Sequence, residues 1–398
     1  MLTPNMNYRN LKESYLFHRI GLKIQNYLKD HPENHLYRMG IGDVSLPLCE
    51  AVIRELHAAV ADQSRQETFH GYMPECGAPF LRERIAGYYR SRVAALSPED
   101  VFVSGGASDE LGDLQDLFDR SCSALIMEPA YPAYVDACVM AGRQIHYLTA
   151  SEENHFLPMP DSSTQGDLVF LCSPNNPTGA AYSRSQLRDW VDWANAHGSV
   201  ILFDAAYEAF IEEDLPHSIF EIPGSQSCAI EVCSLSKTAG FTGTRLGYTV
   251  IPRELNRQGM NLNAMWVRNR TTKTNGVSYI LQKGGAAVFT GEGQLQLHHN
   301  ILIYKQNAKA LTAALDQLGI PYWGGINSPY IWMKCPRRTG SWDFFDLLLN
   351  EIQVIGTPGV GFGPGGEGYF RFSTFGDPHD TVIAAERLAE LLQRVFPD

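Results

Sequence analysis

This 398-residue sequence has fewer basic than acidic residues, no long apolar run and no signal-peptide pattern in its first residues. Lysines and arginines number 32 against 44 aspartates and glutamates, which gives a formal net charge of -12. This charge argues against nucleic-acid or anionic-membrane partners, because both recruit basic surfaces. No apolar run approaches the ~18 residues that span a bilayer. The first twenty residues are polar and lack the apolar core of a signal peptide, so we expect a cytoplasmic protein.

Paired cysteines and clustered metal ligands are also missing. The eight cysteines are scattered and contain no C-x-x-C pair, which favours reduced, buried thiols. The one pair of adjacent histidines, His298 and His299, has no other ligand type at metal spacing, so we expect no metal site. What is present is ordinary globular composition, with 44% apolar residues, on a chain long enough for two or three domains.

Apolar runs and helical patterns alternate through the middle of the chain. The runs "DLVFLC" (Asp167 to Cys172), "SVILFD" (Ser199 to Asp204) and "AIEVC" (Ala229 to Cys233) are short and bounded by turn residues, as buried strands are. Between the first two, Ser183 and Gln186 form a capping-box pattern ahead of apolar residues at helical spacing. This order predicts an α/β fold with a mostly parallel central sheet.

The C-terminal part has a different pattern. "SPYIWMKC" (Ser328 to Cys335) and "GYFRFSTFG" (Gly368 to Gly376) alternate as half-exposed strands do, and Asp380 to Phe396 is amphipathic at helical spacing. These segments predict a smaller α+β domain that the N-terminal residues complete. The expected division is a large cofactor-binding domain over residues 49–284 and a small domain over residues 1–48 and 285–398.

A single lysine stands in an unusual setting within "SLSKTAGFTGTRLG", which begins at Ser234. Lys237 lies between a strand-like run and a loop of small hydroxyl residues, although most lysines after a strand are surface residues. A desolvated lysine can form a Schiff base with a carbonyl, and pyridoxal phosphate is the cofactor that requires one. That cofactor also requires an acid at its ring nitrogen. Asp204 ends a buried strand, where open α/β sheets bind ligands, although such an aspartate is more often a helix cap.

Several residues near this lysine are candidates for holding the cofactor's phosphate. Ser234, Ser236 and Arg245 surround Lys237, and the arginine offers a fork of donors. The segment "SGGASDEL" predicts a strand that ends at a helix start, where the backbone N–H groups at Ala107 and Ser108 would face a phosphate. Each signal is weak by itself, and their order along the chain is what makes the prediction.

Further candidates face the cofactor ring. Asn176 in "SPNNPTG" and Tyr207, three residues after Asp204, could both donate to the phenolic oxygen, although the first motif also fits an ordinary turn. Two such hydrogen bonds stabilise the phenolate and lower the proton affinity of the Schiff base. Tyr131 in "EPAYPAY" could lie flat on the ring, and the alternative is a core aromatic residue.

The segment "GFGPGGEGYFRFSTFG" matches G-x-G-x-x-G literally but precedes a strand, whereas a dinucleotide-binding fingerprint follows a strand and opens a helix. We interpret its glycines as a flexible loop that delivers Arg371 to the site. A planar guanidinium can bind both oxygens of a substrate α-carboxylate, and the alternative for Arg371 is a structural ion pair.

Taken together, "SPNNPTG", "DAAY", "SLSKTAGFTGTRLG" and "RFSTFG" resemble the class I/II pyridoxal-phosphate aminotransferases of fold type I. More narrowly, the chain resembles the LL-diaminopimelate aminotransferases of lysine biosynthesis. The segments that carry this are "SYLF", "RMGIGDVSLPL", "HGYMPECG", "EPAYPAYVD" and "GFGPGGEGYFRFS".

The resemblance implies a homodimer with shared active sites and assigns a role to each matching residue. Lys237 would carry the cofactor, Asp204 would bind its ring nitrogen and Tyr131 would cover its ring. The phosphate would be held by Ala107, Ser108, Ser234 and Arg245, joined by Tyr72 from the other subunit. The implied substrate-binding residues are Tyr15, Gly42, Asn176 and Arg371, with Glu75 and Asn275 from the other subunit.

Two positions depart from the family pattern. Ser108 stands where the family usually has a lysine, and Thr274 stands where it usually has a phenylalanine, with Lys273 beside it. Either Lys273 restores the missing positive charge or the enzyme uses a different amino donor, because one unpaired buried polar group costs ~1–3 kcal/mol.

The implied reaction is transamination between an amino acid, with LL-diaminopimelate favoured, and 2-oxoglutarate. Lys237 would move the proton between the substrate Cα and the cofactor. The alternatives are a different amino donor, a non-transaminating lyase, cyclase or oxidase that uses the same cofactor, and a non-enzymatic cofactor-binding protein.

Overall fold

The computed structural model describes residues 2–11, 16–93 and 96–396. Within them the α-helices are α1 (Leu16–Asp30), α2 (Glu50–Asp62), α3 (Pro79–Tyr89), α4 (Ala107–Asp113), α5 (Pro132–Ala141), α6 (Arg184–His197), α7 (Leu235–Ala239), α8 (Leu262–Lys273), α9 (Tyr279–Val288), α10 (Gly291–Gln317), α11 (Ser341–Ile352) and α12 (Pro378–Val395). None of these helices combines the length and apolar character that crossing a membrane requires.

The strands of the described ranges form a large sheet, a smaller sheet and two short pairs. They are β1 (Tyr37–Arg38), β2 (Val101–Ser104), β3 (Ala124–Glu128), β4 (Ile145–Thr149), β5 (Leu168–Cys172), β6 (Val200–Asp204), β7 (Ala229–Ser234), β8 (Gly247–Val250), β9 (Asn256–Arg257), β10 (Met260–Asn261), β11 (Tyr322–Gly324), β12 (Tyr330–Lys334), β13 (Val354–Ile355), β14 (Thr357–Pro358) and β15 (Tyr369–Ser373).

The large sheet has seven strands in the order β2-β8-β7-β6-β5-β3-β4. Strands β3 to β7 pair in parallel, and β8 runs antiparallel to both of its neighbours. Alternate residues of β5 enter different cores, with Val169 and Leu171 on one face and Leu168 and Phe170 on the other. Burial on both faces explains the continuous apolar runs in the sequence. The predicted α/β fold with a mostly parallel sheet is confirmed.

Helix α6 follows its predicted boundaries. The Ser183 side chain accepts a hydrogen bond from the Gln186 backbone N–H, and the Gln186 side chain caps the Ser183 N–H in return. Gly198 ends the helix with a left-handed φ of 69°. These local signals are satisfied by short-range bonds, which is why the sequence alone identifies them.

The smaller sheet is antiparallel, in the order β11-β12-β15-β14. The expectation that its strands are half exposed is wrong, because four of the five residues in each of β12 and β15 are buried. One face packs on α11, where Phe344 lies 5.1 Å from Phe370 between ring centroids. The other face carries Trp332, paired with Arg371. Both ends of the chain contribute to this core, because β1 pairs with β13.

Candidate active site

The carboxyl ends of β5, β6 and β7 and the start of α4 border a cavity of about 460 Å³. Twelve of the residues predicted from the sequence line it, and they come from segments that are far apart in the chain. They are Gly42, Ala107, Ser108, Tyr131, Asn176, Asp204, Tyr207, Ser234, Ser236, Lys237, Arg245 and Arg371. This is the edge of an open α/β sheet where ligands bind.

Lys237 lies on α7, a short helix between the Ser234 cap and Gly240. Its Nζ donates to the carbonyl oxygen of Gly42. Burial lowers the pKa of Lys237 to about 8, opposed by the nearby Asp43 carboxylate and reinforced by two arginines of the cavity. A substantial fraction of this amine is therefore neutral near physiological pH, which is the state that attacks a carbonyl.

Asp204 ends β6 and is buried. The Tyr134 hydroxyl donates to its Oδ2, and the Ala206 backbone N–H donates to its Oδ1 at 3.0 Å. Burial raises the pKa of Asp204, and these two hydrogen bonds oppose the rise by stabilising the ionised form. The sequence reasoning missed Tyr134. The available signal was its position on α5, one helical turn after Tyr131.

A group of phosphate-type donors lies at the start of α4 and the end of β7. Arg245 donates from Nη1 to the Ser236 hydroxyl at 3.2 Å and to the Thr242 carbonyl at 3.0 Å. Gly106 precedes α4 with φ 130°, and a Cβ there would lie 2.5 Å from Arg245 Nη2. A glycine is therefore required for this close approach of backbone to guanidinium. The Ser108 hydroxyl lies 3.4 Å from that of Tyr131 in the same cavity.

Arg371 enters the cavity from β15 and is 1% exposed. It donates to the Asn176 side-chain oxygen at 2.6 Å and to the Gly40 carbonyl at 2.7 Å. Its guanidinium carbon lies 4.2 Å from the ring centroid of Tyr330, a cavity residue that the sequence reasoning also missed. The hydroxyl of Tyr330 in turn lies 2.8 Å from that of Tyr207. The positive charge of Arg371 and the neighbouring hydroxyls make this end of the cavity suited to a carboxylate.

The glycine-rich segment before β15 is packed rather than loose. A Cβ on Gly366 would lie 2.0 Å from the Gly359 carbonyl oxygen, so two backbone stretches touch there. Gly363 has a φ of 123°, which glycine adopts without strain. The segment carries no dinucleotide-type turn into a helix, since β15 follows it directly.

Three predicted residues lie outside the cavity of their own chain. Tyr72 is 88% exposed, Asn275 is exposed and Glu75 is half-buried. The two segments that carry them touch, because a Cβ on Gly276 would lie 2.8 Å from the carbonyl oxygens of Met73 and Pro74. Tyr15 falls outside the described residues.

Lys273 is also outside this cavity. It ends α8 and forms an ion pair with Asp116, with both side chains about half exposed. Its charge is therefore matched by a carboxylate of the same chain. The preceding turn of α8 carries Arg270, which pairs with Glu110 at 3.1 Å and Asp113 at 2.8 Å.

Pyridoxal phosphate needs an amine for its aldehyde, an acid for its ring nitrogen and donors for its phosphate. Lys237, Asp204 and the Arg245 group offer these functions around one cavity, and the lowered pKa of the lysine suits the first of them. The residues present therefore fit this cofactor. The fold and the cavity define the class as that of the pyridoxal-phosphate enzymes of fold type I.

Comparison with known proteins identifies the family within this class of enzymes. The model of the family "Aminotransferase class I and II" matches residues 34–388. The LL-diaminopimelate aminotransferases of Lawsonia intracellularis and Agathobacter rectalis are 48% and 45% identical, each over 98% of this chain and 100% of the relative. The solved L,L-diaminopimelate aminotransferase of Chlamydomonas reinhardtii superposes with a TM-score of 0.93 at 37% identity, over 98% of both chains.

The chain belongs to the class I and II aminotransferase family. It is an aminotransferase that depends on pyridoxal phosphate, and its substrates are an amino acid and a 2-oxo acid. The predicted family, enzyme class and cofactor are confirmed.

Proposed function

We propose that this aminotransferase takes its amino group from LL-diaminopimelate and gives it to 2-oxoglutarate, acting as a homodimer. The observation that carries the choice of donor is the name shared by relatives at 44–48% identity over nearly the whole chain. The cavity supports it through Arg371, which provides a site for the α-carboxylate of an amino acid.

When bound, pyridoxal phosphate supplies an electron sink that stabilises negative charge at the substrate Cα. In our proposal Asp204 would stay ionised beside the ring nitrogen, helped by the hydrogen bond from Tyr134. Tyr131 would cover the ring, and Asn176 and Tyr207 would donate to the phenolic oxygen. The phosphate would be held by Ala107, Ser108, Ser234 and Arg245.

Lys237 performs the proton transfer in this proposal. Its free Nζ would accept the proton from the substrate Cα, which leaves Lys237 as an ammonium. A pKa of about 8 suits this role, because a base works best when its pKa lies near the working pH. As an acid, the ammonium would then give that proton to the cofactor, and burial would keep water from competing for it.

The two ends of the substrate are bound by different parts of the site. Arg371 forms two parallel hydrogen bonds with the α-carboxylate, and Asn176, already 2.6 Å from Arg371, orients it. Tyr15 and Gly42 line the pocket. Glu75 of the partner subunit and Asn275 of the partner subunit bind the distal amino acid group, and Tyr72 of the partner subunit joins the phosphate site.

The position of Tyr72, Glu75 and Asn275 outside the cavity of their own chain supports the proposed dimer, because a second chain would give each of them a cavity to reach. Their segments touch in one chain, so a single surface could present all three. We also propose a division into a cofactor domain over residues 49–284 and a small domain over residues 1–48 and 285–398. The hydrophobic core around the smaller sheet supports that division, because its buried members other than Ala150 and Phe156 come from residues 1–48 and 285–398.

A different amino donor is the second candidate. Ser108 occupies the position of a lysine in the resembled family, and the ion pair with Asp116 leaves the charge of Lys273 already matched. A distal carboxylate would then find less positive charge than in relatives that keep the lysine. A shorter or less acidic donor would tolerate that difference better.

A donor screen tests the proposal. The holoenzyme is given 2-oxoglutarate and one amino acid at a time, and the glutamate formed is measured, with Lys237→Ala as the inactive control. We expect LL-diaminopimelate to give the highest kcat/KM. Glutamate formation from another donor at a tenfold higher kcat/KM would favour the second candidate. No glutamate from any donor would contradict both.

Mixing two inactive variants tests the dimer. Lys237→Ala lacks the amine, whereas Glu75→Ala lacks the residue assigned to the partner's site. If the sites are shared, statistical mixing restores one complete site in half of the dimers, and about a quarter of wild-type activity returns. If Glu75 serves the cavity of its own chain, no mixed dimer contains a complete site and activity stays absent.

A further inference from the structure

Tyr330 lines the cavity and contacts two of its predicted residues, Tyr207 and Arg371, although no sequence motif marked it. It begins β12, is 1% exposed and has no assigned role in the reaction. Its hydroxyl lies 2.8 Å from the hydroxyl of Tyr207, and the two rings are tilted by 74°. The guanidinium carbon of Arg371 lies 4.2 Å from the centroid of its ring.

The backbone around Tyr330 is fitted to two more segments of the site. A Cβ on Gly42 would lie 2.5 Å from the Tyr330 hydroxyl oxygen. A Cβ on Gly179, in the turn that carries Asn176, would lie 2.7 Å from the Tyr330 carbonyl oxygen. Two glycines therefore make room for this one residue, which fixes it tightly between them.

The direction of the hydrogen bond between the Tyr330 and Tyr207 hydroxyls follows from the number of protons that each can donate. A tyrosine hydroxyl has one proton to donate. If Tyr207 gives its proton to the phenolic oxygen of the cofactor, it must accept from Tyr330. Burial raises the pKa of Tyr330, and the charge of Arg371 opposes that rise, which favours Tyr330 as the donor.

We propose that Tyr330 is a positioning residue for transamination: its hydroxyl donates to Tyr207, and its ring seats Arg371. This inference rests on the roles proposed above for Tyr207 and Arg371. Through the first contact Tyr330 strengthens the hydrogen bond to the phenolic oxygen, since a donor that itself accepts a bond is polarised. Through the second it holds the carboxylate-binding group in the plane that the substrate requires. One side chain from the smaller sheet thus aligns the cofactor group and the substrate group together.

The hydroxyl is tested by Tyr330→Phe, which keeps the ring. The measurement is a spectrophotometric pH titration of the holoenzyme without substrate, following its visible absorption. A weaker donor at Tyr207 leaves the linkage between Lys237 and the cofactor with a higher proton affinity. We expect the midpoint of this absorption titration to lie roughly 0.3–1 pH unit higher in Tyr330→Phe than in the wild type.

A double-mutant comparison shows whether the effect passes through Tyr207. In a Tyr207→Phe background, Tyr330→Phe should add no shift, because the hydroxyl it acts on is gone. A midpoint equal to wild type in the single variant, or the same shift in both backgrounds, would overturn the hydroxyl relay. This titration needs no amino donor, so it stands apart from the test of the proposed substrate.

The ring is tested by comparing Tyr330→Phe with Tyr330→Leu. Phenylalanine retains a π face for Arg371 and leucine does not, so the KM for the amino acid should change less than twofold in the first variant. In the second it should rise about three- to thirtyfold. An equal rise in both variants, or none in Tyr330→Leu, would overturn the seating of Arg371. If the wild-type enzyme transaminates no donor, the proposed function fails while the titration result remains.

Discussion

The lowered pKa of Lys237 predicts how fast the apoprotein captures its cofactor at each pH. With a pKa of about 8 in place of 10.5, the neutral fraction of the amine at pH 7 rises from about three in ten thousand to about one in ten. Since only the neutral amine attacks the aldehyde, the reactive fraction of this amine at that pH is about 300-fold larger than that of an exposed lysine.

Stopped-flow mixing of apoprotein with excess pyridoxal phosphate measures this directly through the visible absorbance that appears. The second-order rate constant should rise about tenfold per pH unit below pH 8 and level off above it. A lysine dipeptide blocked at its α-amine serves as the control, because its rate should keep rising toward pH 10. The variant Lys237→Ala should give no saturating phase. If the rate constant of the protein keeps rising through pH 10, as that of the control does, burial does not lower the pKa of Lys237 and the reasoning is wrong.

Three further predictions concern the site. Tyr134→Phe removes the hydroxyl that donates to Asp204, and we expect kcat/KM to fall about 10–100-fold, because a bond to a charged group is worth about 1.5–3 kcal/mol; unchanged steady-state kinetics would contradict this. Lys237→Met removes a buried amine whose pKa is lowered to about 8, so the free energy of unfolding of the apoprotein should rise by up to about 3 kcal/mol at pH 7. That stabilisation is full below pH 8 and fades as the pH rises from 8 to 10.5. Thermal unfolding of both proteins at pH 7 and at pH 10.5 measures it, and the variant should be the more stable protein only at the lower pH. Arg371→Lys keeps the charge but loses the two-point fork, so the KM for the amino acid should rise about tenfold or more while cofactor absorbance is retained.

Local signals in the sequence were enough to predict much of the fold. The boundaries of α6 depend on Ser183 with Gln186 at one end and on Gly198 at the other, and each makes its capping bond within a few residues of its own position. The buried strands were recognisable because both faces are covered and most positions are apolar. The antiparallel insertion of β8 between β2 and β7 was not predicted, because strand order depends on pairings between distant segments.

In the candidate site, too, residues in local motifs were predictable, whereas residues defined by contacts between distant segments were not. Residues that sit in compact motifs, such as Lys237 and Asn176, were found from the sequence and do line the cavity. Tyr134 and Tyr330 were missed because an isolated aromatic residue in an apolar stretch has the same pattern as a core residue. The roles proposed for them depend on contacts with Asp204 and Tyr207 that the chain makes only after folding. The half-exposed pattern expected for the smaller sheet was wrong for a related reason, since its polar Arg371 faces the buried cavity.

We propose that the amine at position 237 carries the cofactor. This is tested by reduction of the holoenzyme with borohydride, digestion and peptide mass spectrometry. We expect one stable adduct with the mass of the reduced cofactor on the peptide that contains Lys237. An adduct on a different lysine, or no adduct in a fully loaded enzyme, would contradict it.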